Sequence, residues 1–278
     1  MVRLTLGCVA AIAITASASA QSPAERGSYL VNTIMTCGNC HTPKGPPAAV
    51  AGKDFSGGLS WDEPPFKVTA SNITPDKETG IGNWSAADIK KALVQGVRPN
   101  GTPLAPIMPS NFYGILTPGD LDAIVVYLQS LTPVKNQVPT PVYRLPFGHA
   151  AWPGTDKPAA PADLADTVKR GHYLVAAGHC LECHTPMNQG KPDLASIGTG
   201  GRNFPGPWGT STSRNITSHR EKGIGAWTDA EIKAAITQGK RKDGSPLKPP
   251  MGYPLYAKMT DADLNAVVAY LRTVPPKE

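Results

Sequence analysis

The pattern that most constrains this chain is a five-residue motif, Cys-x-x-Cys-His, which occurs twice. It reads CGNCH at positions 37–41 and CLECH at positions 180–184. This spacing is typical of covalent haem c attachment: two thiols bond to the two vinyl groups of one porphyrin, and the adjacent histidine reaches the iron. We therefore predict two haems c. The predicted attachment residues are Cys37, Cys40, Cys180 and Cys183, with His41 and His184 as axial iron ligands.

Paired cysteines have three other common uses. Two disulfides are possible in an exported protein, but they do not require a histidine after each pair. Zinc could bind two such pairs, but the stretch between Cys40 and Cys180 is far longer than the spacing that zinc sites usually have. A dithiol redox site would need one pair in a βαβ context, and none is visible. The motif therefore favours haem.

The chain also repeats itself at a nearly constant offset. The segment Arg-Gly-x-Tyr-Leu-Val occurs at positions 26–31 and again at 170–175. Asn-Ile-Thr occurs at 72–74 and 215–217, and Gly-Ile-Gly-x-Trp at 80–84 and 223–227. Self-similarity of this kind indicates two copies of one unit. Each copy contains one haem motif, so we predict two domains that each surround one haem.

The repeat selects a second iron ligand. Five methionines follow the first residue, and only Met108 and Met251 occupy equivalent positions of the two copies. Each follows its motif histidine at the same distance and lies in a Pro-rich loop. A thioether is a soft ligand that suits haem iron and raises its potential. We predict that both bind iron; the alternative is that both are core residues. Met187 and Met259 are expected in loops or packing, and Met35 is too close to its motif.

Helix signals occur in both copies, whereas strand signals are weak. Capping patterns at Ser22, Ser85, Thr117 and Thr228 predict helix starts, and the segment 261–272 repeats the apolar helix that follows Thr117. Long segments at 45–83 and 187–226 are rich in Gly, Pro, Ser and Asn, and no convincing strand is visible. Loops of this length need something to organise them. We predict an all-α fold with long loops wrapped around haem.

The first twenty residues have the features of an export signal. A short basic start is followed by an apolar core and by Ala18-Ser19-Ala20, a small-x-small cleavage site. We expect residues 1–20 to be a signal peptide, cleaved near Ala20, and the mature protein to be periplasmic. The remainder divides into a domain at 21–135, a Pro-rich linker at 136–162 and a domain at 163–278. Aromatic residues at 143, 147 and 152 indicate that the linker packs on a domain.

Composition excludes several classes of protein. Aromatic residues make up only 6% of the 278 residues, and no basic run is longer than positions 240–242, which argues against a nucleic-acid partner. No apolar stretch is long enough to cross a bilayer, so no integral membrane segment is expected. The net charge of +6 lies mainly in the second copy and includes Lys240, Arg241, Lys242 and Lys248. This basic cluster either steers an acidic partner or complements a helix C-terminus.

The mature chain resembles a tandem of class I cytochrome c domains. The resemblance implies that the terminal helices of each copy cross beside Gly27 and Gly171, with Tyr127 and Tyr270 packed at the crossings. The Asn-Ile-Thr and Gly-Ile-Gly-x-Trp segments are similar to those of cytochrome subunits of bacterial periplasmic dehydrogenases for alcohols, sugar acids and aldehydes. Those subunits usually have three haem domains and a membrane-attaching tail, whereas this sequence shows two domains.

These observations predict an electron-transfer protein rather than an enzyme. With histidine and methionine on both irons, neither iron has an open position for substrate, and redox partner proteins would be a periplasmic dehydrogenase and an electron acceptor. The alternative is a dihaem enzyme of the peroxidase or thiosulfate-oxidising type, in which one haem has an open, Cys or His position. A purely structural or metal-binding module is a third reading. Trp84 and Trp227 either donate to haem propionates or pack in the core.

Overall fold

The computed structural model describes residues 21–45, 49–146 and 148–278. The predicted signal peptide and Phe147 lie outside the described residues. The helices of the first copy are α1 (Pro23–Tyr29), α2 (Gly38–His41), α3 (Ala86–Gln95) and α4 (Pro118–Ser130). Those of the second copy are α5 (Thr167–Ala177), α6 (Cys180–Cys183), α7 (Asp229–Gln238), α8 (Tyr253–Tyr256) and α9 (Asp261–Thr273). A π-helical turn at Leu30–Ile34 extends α1, and 3₁₀ turns cover Ser110–Ile115, Pro161–Ala165 and Leu194–Ser196.

The helices begin where the capping patterns predict. Ser22, Ser85 and Thr228 each accept a hydrogen bond from the backbone N–H three residues later, and the acidic side chain at that position bonds back to the cap residue. Two backbone groups that the helix cannot pair are satisfied in this way at each start. Gly96 and Gly239 end α3 and α7 in the left-handed conformation, with φ of 64° and 62°.

The all-α prediction is only roughly right, because the long loops contain short antiparallel strands. A hairpin of β1 (Ser60–Glu63) and β2 (Phe66–Thr69) is extended by β3 (Val142–Tyr143) from the linker. The second copy has hairpins of β4 (Met187–Asn188) with β5 (Lys191–Pro192) and of β6 (Asn203–Gly206) with β7 (Gly209–Thr212). Strands this short cannot show a clear period-two pattern in the sequence.

The first and last helices of each copy cross at a glycine, as the resemblance implies. A Cβ on Gly27 would lie 2.0 Å from the carbonyl oxygen of Ala123 in α4. A Cβ on Gly171 would lie 2.0 Å from the carbonyl oxygen of Ala266 in α9. Tyr127 and Tyr270 lie at these crossings, where each Cβ would be 2.7 Å from the added atom. Only glycine permits backbones to approach this closely.

The Pro-rich segment packs on the first copy. The Tyr143 hydroxyl donates to the carbonyl of Pro103 at 2.6 Å, which fixes β3 beside the loop that leads to Met108. Trp152 is buried and stacks on Phe112, with ring centroids 4.6 Å apart. The linker is therefore an ordered part of the fold, as the aromatic residues predict.

The main apolar core extends through both copies. Leu30, Val31 and Ile34 from the first copy belong to the same buried cluster as Leu174 and Val175 from the second. The two copies therefore form one packed body. Among the described residues, no helix is both long enough and apolar enough to cross a membrane.

Candidate functional site: two haem attachment motifs

Each attachment motif forms a short helix directly after a sharp turn. Thr36 and His179 precede the first cysteine of each motif, and both have positive φ, 51° and 42°. Left-handed backbone is costly for side chains of this kind and is found where the surrounding fold imposes it. The turn redirects the chain into α2 and α6; Cys37 is the N-cap residue of α2, which contains Cys40, whereas Cys180 and Cys183 both lie in α6. The same strained turn therefore presents both motifs.

The motif histidines are oriented by backbone carbonyls at equivalent positions. His41 Nδ1 lies 2.7 Å from the carbonyl oxygen of Ser71, and His184 Nδ1 lies 2.6 Å from that of Arg214. Donation from Nδ1 leaves Nε2 with its lone pair free, which is the arrangement that metal-binding histidines generally have. Burial lowers the pKa of both imidazoles, so both are neutral at pH 7 and suited to bind iron.

The repeated Asn-Ile-Thr segments hold those carbonyls in place. Asn72, next to Ser71, accepts from the Thr74 hydroxyl at 2.7 Å, and its amide donates to the carbonyl of Val134 at 2.7 Å. Asn215, next to Arg214, makes the matching bonds to Thr217 at 2.7 Å and to the carbonyl of Lys277 at 2.7 Å. The asparagines therefore anchor the loop that orients each motif histidine to the segment after the C-terminal helix. The repeat shows the segment, but only the structure shows this role.

The four motif cysteines are unpaired thiols in buried surroundings. No disulfide joins them. Burial raises the pKa of Cys37 and Cys183 to about 12 and that of Cys40 and Cys180 to about 11. Within the part of the chain that the structure describes, no group of three or more His, Cys, Asp or Glu side chains is arranged to hold a metal ion. Two half-buried neutral thiols directly before a neutral imidazole, in each copy, fit a thioether-linked haem.

The two predicted methionine ligands lie in the loops that follow α3 and α7. Met108 and Met251 are both half-buried, and Met108 packs against the main core. Of the other methionines, Met35 is buried in the core, Met187 is 44% exposed in β4, and Met259 packs against the core. Iron ligation by Met108 and Met251 stays a prediction.

Trp84 and Trp227 occupy equivalent turns before α3 and α7. Both are packed against the core, and their backbone N–H groups donate to the carbonyls of Ile81 and Ile224 at 2.9 and 3.0 Å. This placement is compatible with either sequence-based reading, core packing or donation to a propionate.

Sequence reasoning placed Arg241 in the basic cluster but missed a candidate role for it toward haem. Its Nε is buried and has no hydrogen-bond partner among the described residues, while its Nη1 donates to the Ser245 hydroxyl at 3.3 Å. A buried guanidinium N–H without an acceptor is costly unless an anion meets it. The propionates of a haem are such anions, so this orphaned donor fits the cofactor that the motifs imply. The repeat could have pointed to this residue, because Arg98 occupies the equivalent position of the first copy.

The rest of the basic cluster lies at the surface. Lys240, Lys242 and Lys248 are exposed, and Lys242 donates to the carbonyl of Ala226 at 2.8 Å. The Lys242 ammonium is also 3.8 Å from the Glu231 carboxylate. Lys240 and Lys242 follow the C-terminus of α7, so the structure allows both explanations given above.

Comparison with known proteins identifies the class. The family model described as Cytochrome c matches residues 24–132 and again residues 168–275. The chain therefore belongs to the cytochrome c family, with two tandem domains of that type, and the resemblance seen in the sequence is confirmed.

Several curated proteins are similar to the chain. The fructose dehydrogenase cytochrome subunit of Gluconobacter japonicus is 33% identical over 94% of this chain and 54% of its own length. The gluconate 2-dehydrogenase cytochrome c subunit of Pantoea cypripedii is 29% identical over 99% and 65%, respectively. A diheme cytochrome c-type protein of Cereibacter sphaeroides is 32% identical over 87% and 83%. The chain thus spans between half and two thirds of the length of these dehydrogenase subunits. Those relatives are cytochrome subunits, in agreement with the prediction of an electron carrier rather than an enzyme.

Proposed function

We propose that this protein is a periplasmic dihaem cytochrome c that carries electrons from a dehydrogenase to a downstream acceptor. The observation that carries the proposal is the repeated arrangement in which each Cys-x-x-Cys-His histidine donates from Nδ1 to the carbonyl of an equivalent loop residue. Two such sites in one chain, each followed by a methionine at the same spacing, are suited to one-electron transfer.

The chain's own residues supply attachment, ligation and electrostatic environment. The cysteine pairs would hold each haem covalently, His41 and Met108 would bind one iron, and His184 and Met251 would bind the other. When bound, haem c supplies an iron that cycles between Fe(III) and Fe(II). With both axial positions filled by protein, electrons would pass through the haem edge, and the protein's part is to set the potential and the approach of partners.

The test of the proposal combines spectroscopy with reconstitution. The exported protein should contain two haems, and both should show low-spin spectra that change on reduction without binding carbon monoxide. A dehydrogenase purified from the same periplasm should reduce it when given its alcohol or sugar substrate. A haem that binds carbon monoxide in the untreated protein would favour the dihaem enzyme instead.

The surface lysines allow a test of how a partner approaches. Replacing Lys240 and Lys242 with glutamine should slow reduction by an acidic partner at low ionic strength and flatten its salt dependence, because electrostatic steering acts on the association rate. Replacing Lys77 and Lys91 with glutamine, which removes equal charge from the first copy, is the matched control. Equal rates for both double variants would leave only the helix-end explanation for the cluster.

A further inference from the structure

The contact between the two copies contains a pair of reciprocal polar clusters. In the first cluster, Asp120 at the start of α4 receives the Arg26 guanidinium, with Nε–Oδ1 2.8 Å and Nη2–Oδ2 2.7 Å. The same carboxylate accepts a short hydrogen bond from the hydroxyl of Tyr173, which belongs to the other copy. The Asp120 side chain is only 10% exposed, so the hydrogen bonds from Arg26 and Tyr173 replace most of its contacts with water.

The second cluster repeats the first with the copies exchanged. Asp263 at the start of α9 receives Arg170 Nε at 2.6 Å and the Tyr29 hydroxyl at 2.6 Å. Its side chain is 2% exposed. Tyr29 comes from the first copy and Asp263 from the second, so each copy gives one tyrosine and receives one. Such reciprocity is the signature of a two-fold-related interface.

Each tyrosine also meets the helix cap beside its aspartate. The backbone N–H of Thr260 donates to the Tyr29 hydroxyl at 3.2 Å, and that of Thr117 donates to the Tyr173 hydroxyl at 3.4 Å. Both hydroxyls therefore donate to a carboxylate and accept from a backbone N–H. Two bonds of fixed direction define the orientation of each tyrosine against the opposite copy.

Residues next to the attachment motifs also take part in the interface between the copies. A Cβ on Gly178, two residues before Cys180, would lie 3.2 Å from the carbonyl oxygen of Ile34 in the first copy. A Cβ on Gly252, next to Met251, would lie 3.8 Å from the Thr36 methyl group, one residue before Cys37. Residues adjacent to one motif thus touch residues adjacent to the motif or methionine of the other copy.

We infer that Tyr29 and Tyr173 are positioning residues that fix the two haem sites relative to each other. Each tyrosine lies seven or eight residues before the first cysteine of its motif. Tyr29 and Tyr173 each lie in the helix that leads to the turn before the motif, α1 and α5, respectively. Exchange of one electron between the sites oxidises one iron from Fe(II) to Fe(III) and reduces the other, with no bond changed and no proton moved. The inference rests on the proposed function only in requiring two haems.

The test removes the hydroxyls without removing the rings. Tyr29→Phe and Tyr173→Phe each delete a hydrogen bond to a buried carboxylate. Each should therefore lower the equilibrium ratio of molecules with the two copies packed together to molecules with the copies separated by about 10- to 100-fold. The double variant should lower it by roughly the product of the two. The matched control is Tyr127→Phe, because that hydroxyl accepts from Asn32 at 2.8 Å within the first copy.

Two measurements on the haem-loaded protein test whether the tyrosines position the two haem sites. In the double variant, amide hydrogen exchange should accelerate at Ser110–Ile115 and Tyr253–Tyr256, which both contact the other copy, and the Soret circular dichroism of the haem-loaded protein should change. The control should change neither signal. Unchanged exchange and an unchanged Soret signal in the double variant would overturn the inference, as would faster exchange with an unchanged Soret signal. An intact mass with fewer than two haems would instead refute the proposed function, and the exchange measurement would still judge the docking.

Discussion

Replacing Gly27 with alanine tests the tight helix crossing on which the cytochrome fold depends. The added Cβ would lie 2.0 Å from the carbonyl oxygen of Ala123 and 2.7 Å from the Cβ of Tyr127. The optimal van der Waals distance between non-bonded carbon atoms is about 3.5–4.0 Å. Neither neighbour can rotate away, because one is backbone and the other is the first atom of a side chain. Helices α1 and α4 must therefore move apart by about 1 Å or more to restore an ordinary contact.

The expected cost follows from two opposing effects. Overpacking of a well-packed core generally costs about 1–3 kcal/mol, and alanine recovers up to about 1 kcal/mol over glycine in a helix. Because the contact is so short, we expect a net loss of about 2 kcal/mol in the free energy of unfolding. A protein of this size then unfolds roughly 4–8 °C lower.

The assay is thermal unfolding of the haem-loaded protein, followed by far-ultraviolet circular dichroism and by Soret absorbance. The control is Gly119→Ala in α4, where a Cβ would meet no atom within 4 Å. That variant should be as stable as the parent protein or slightly more stable. A Gly27→Ala protein as stable as the Gly119→Ala protein would refute the crossing geometry.

Two further predictions concern the haems themselves. Replacing Cys37 and Cys40 with serine should leave a protein whose intact mass includes one haem, because only the first attachment site is lost; a mass with two haems would contradict the motif assignment. Replacing Met108 with alanine should abolish about half of the near-infrared sulfur-to-iron band and open that iron to carbon monoxide, whereas Met259→Leu should change neither. Full methionine ligation in the Met108 variant would show that the repeat selects the wrong residue.

The sequence predicts those features that depend on local chemistry or on the repeat. Caps at Ser22, Ser85 and Thr228 are local hydrogen-bonding patterns, and the structure has the helices that they predict. The crossings at Gly27 and Gly171 follow from the family resemblance, and the structure confirms them. The haem ligands are inferred from spacing alone and stay predictions.

The features that sequence reasoning misses depend on residues far apart in the chain. Strand β3 pairs with β2 although the whole first-copy helix pair α3 and α4 lies between them in sequence, and only two of its residues take part, so no pattern marks it. The contact between Tyr29 and Asp263 joins residues 234 positions apart. The repeat shows that each copy has both residue types, but it cannot show that the tyrosine of one copy meets the aspartate of the other.

The two copies share a scaffold but differ in the surroundings of equivalent residues, and we therefore expect two resolved steps in a redox titration. In the first copy Arg98 donates to the carbonyl of Pro103 at 2.7 Å and to the Tyr143 hydroxyl at 3.1 Å, whereas the equivalent Arg241 has a buried Nε without a partner among the described residues. Packing differs too. In the first copy Phe55 lies beside Gly38, whereas at the equivalent positions of the second copy Leu181 lies beside Gly198. A positive charge near haem favours Fe(II), and hydrogen bonds to the haem and to its iron ligands tune the reduction potential. Arg241→Gln should therefore lower one potential and leave the other, and a single unsplit step that does not respond to this substitution would show that the two sites are equivalent.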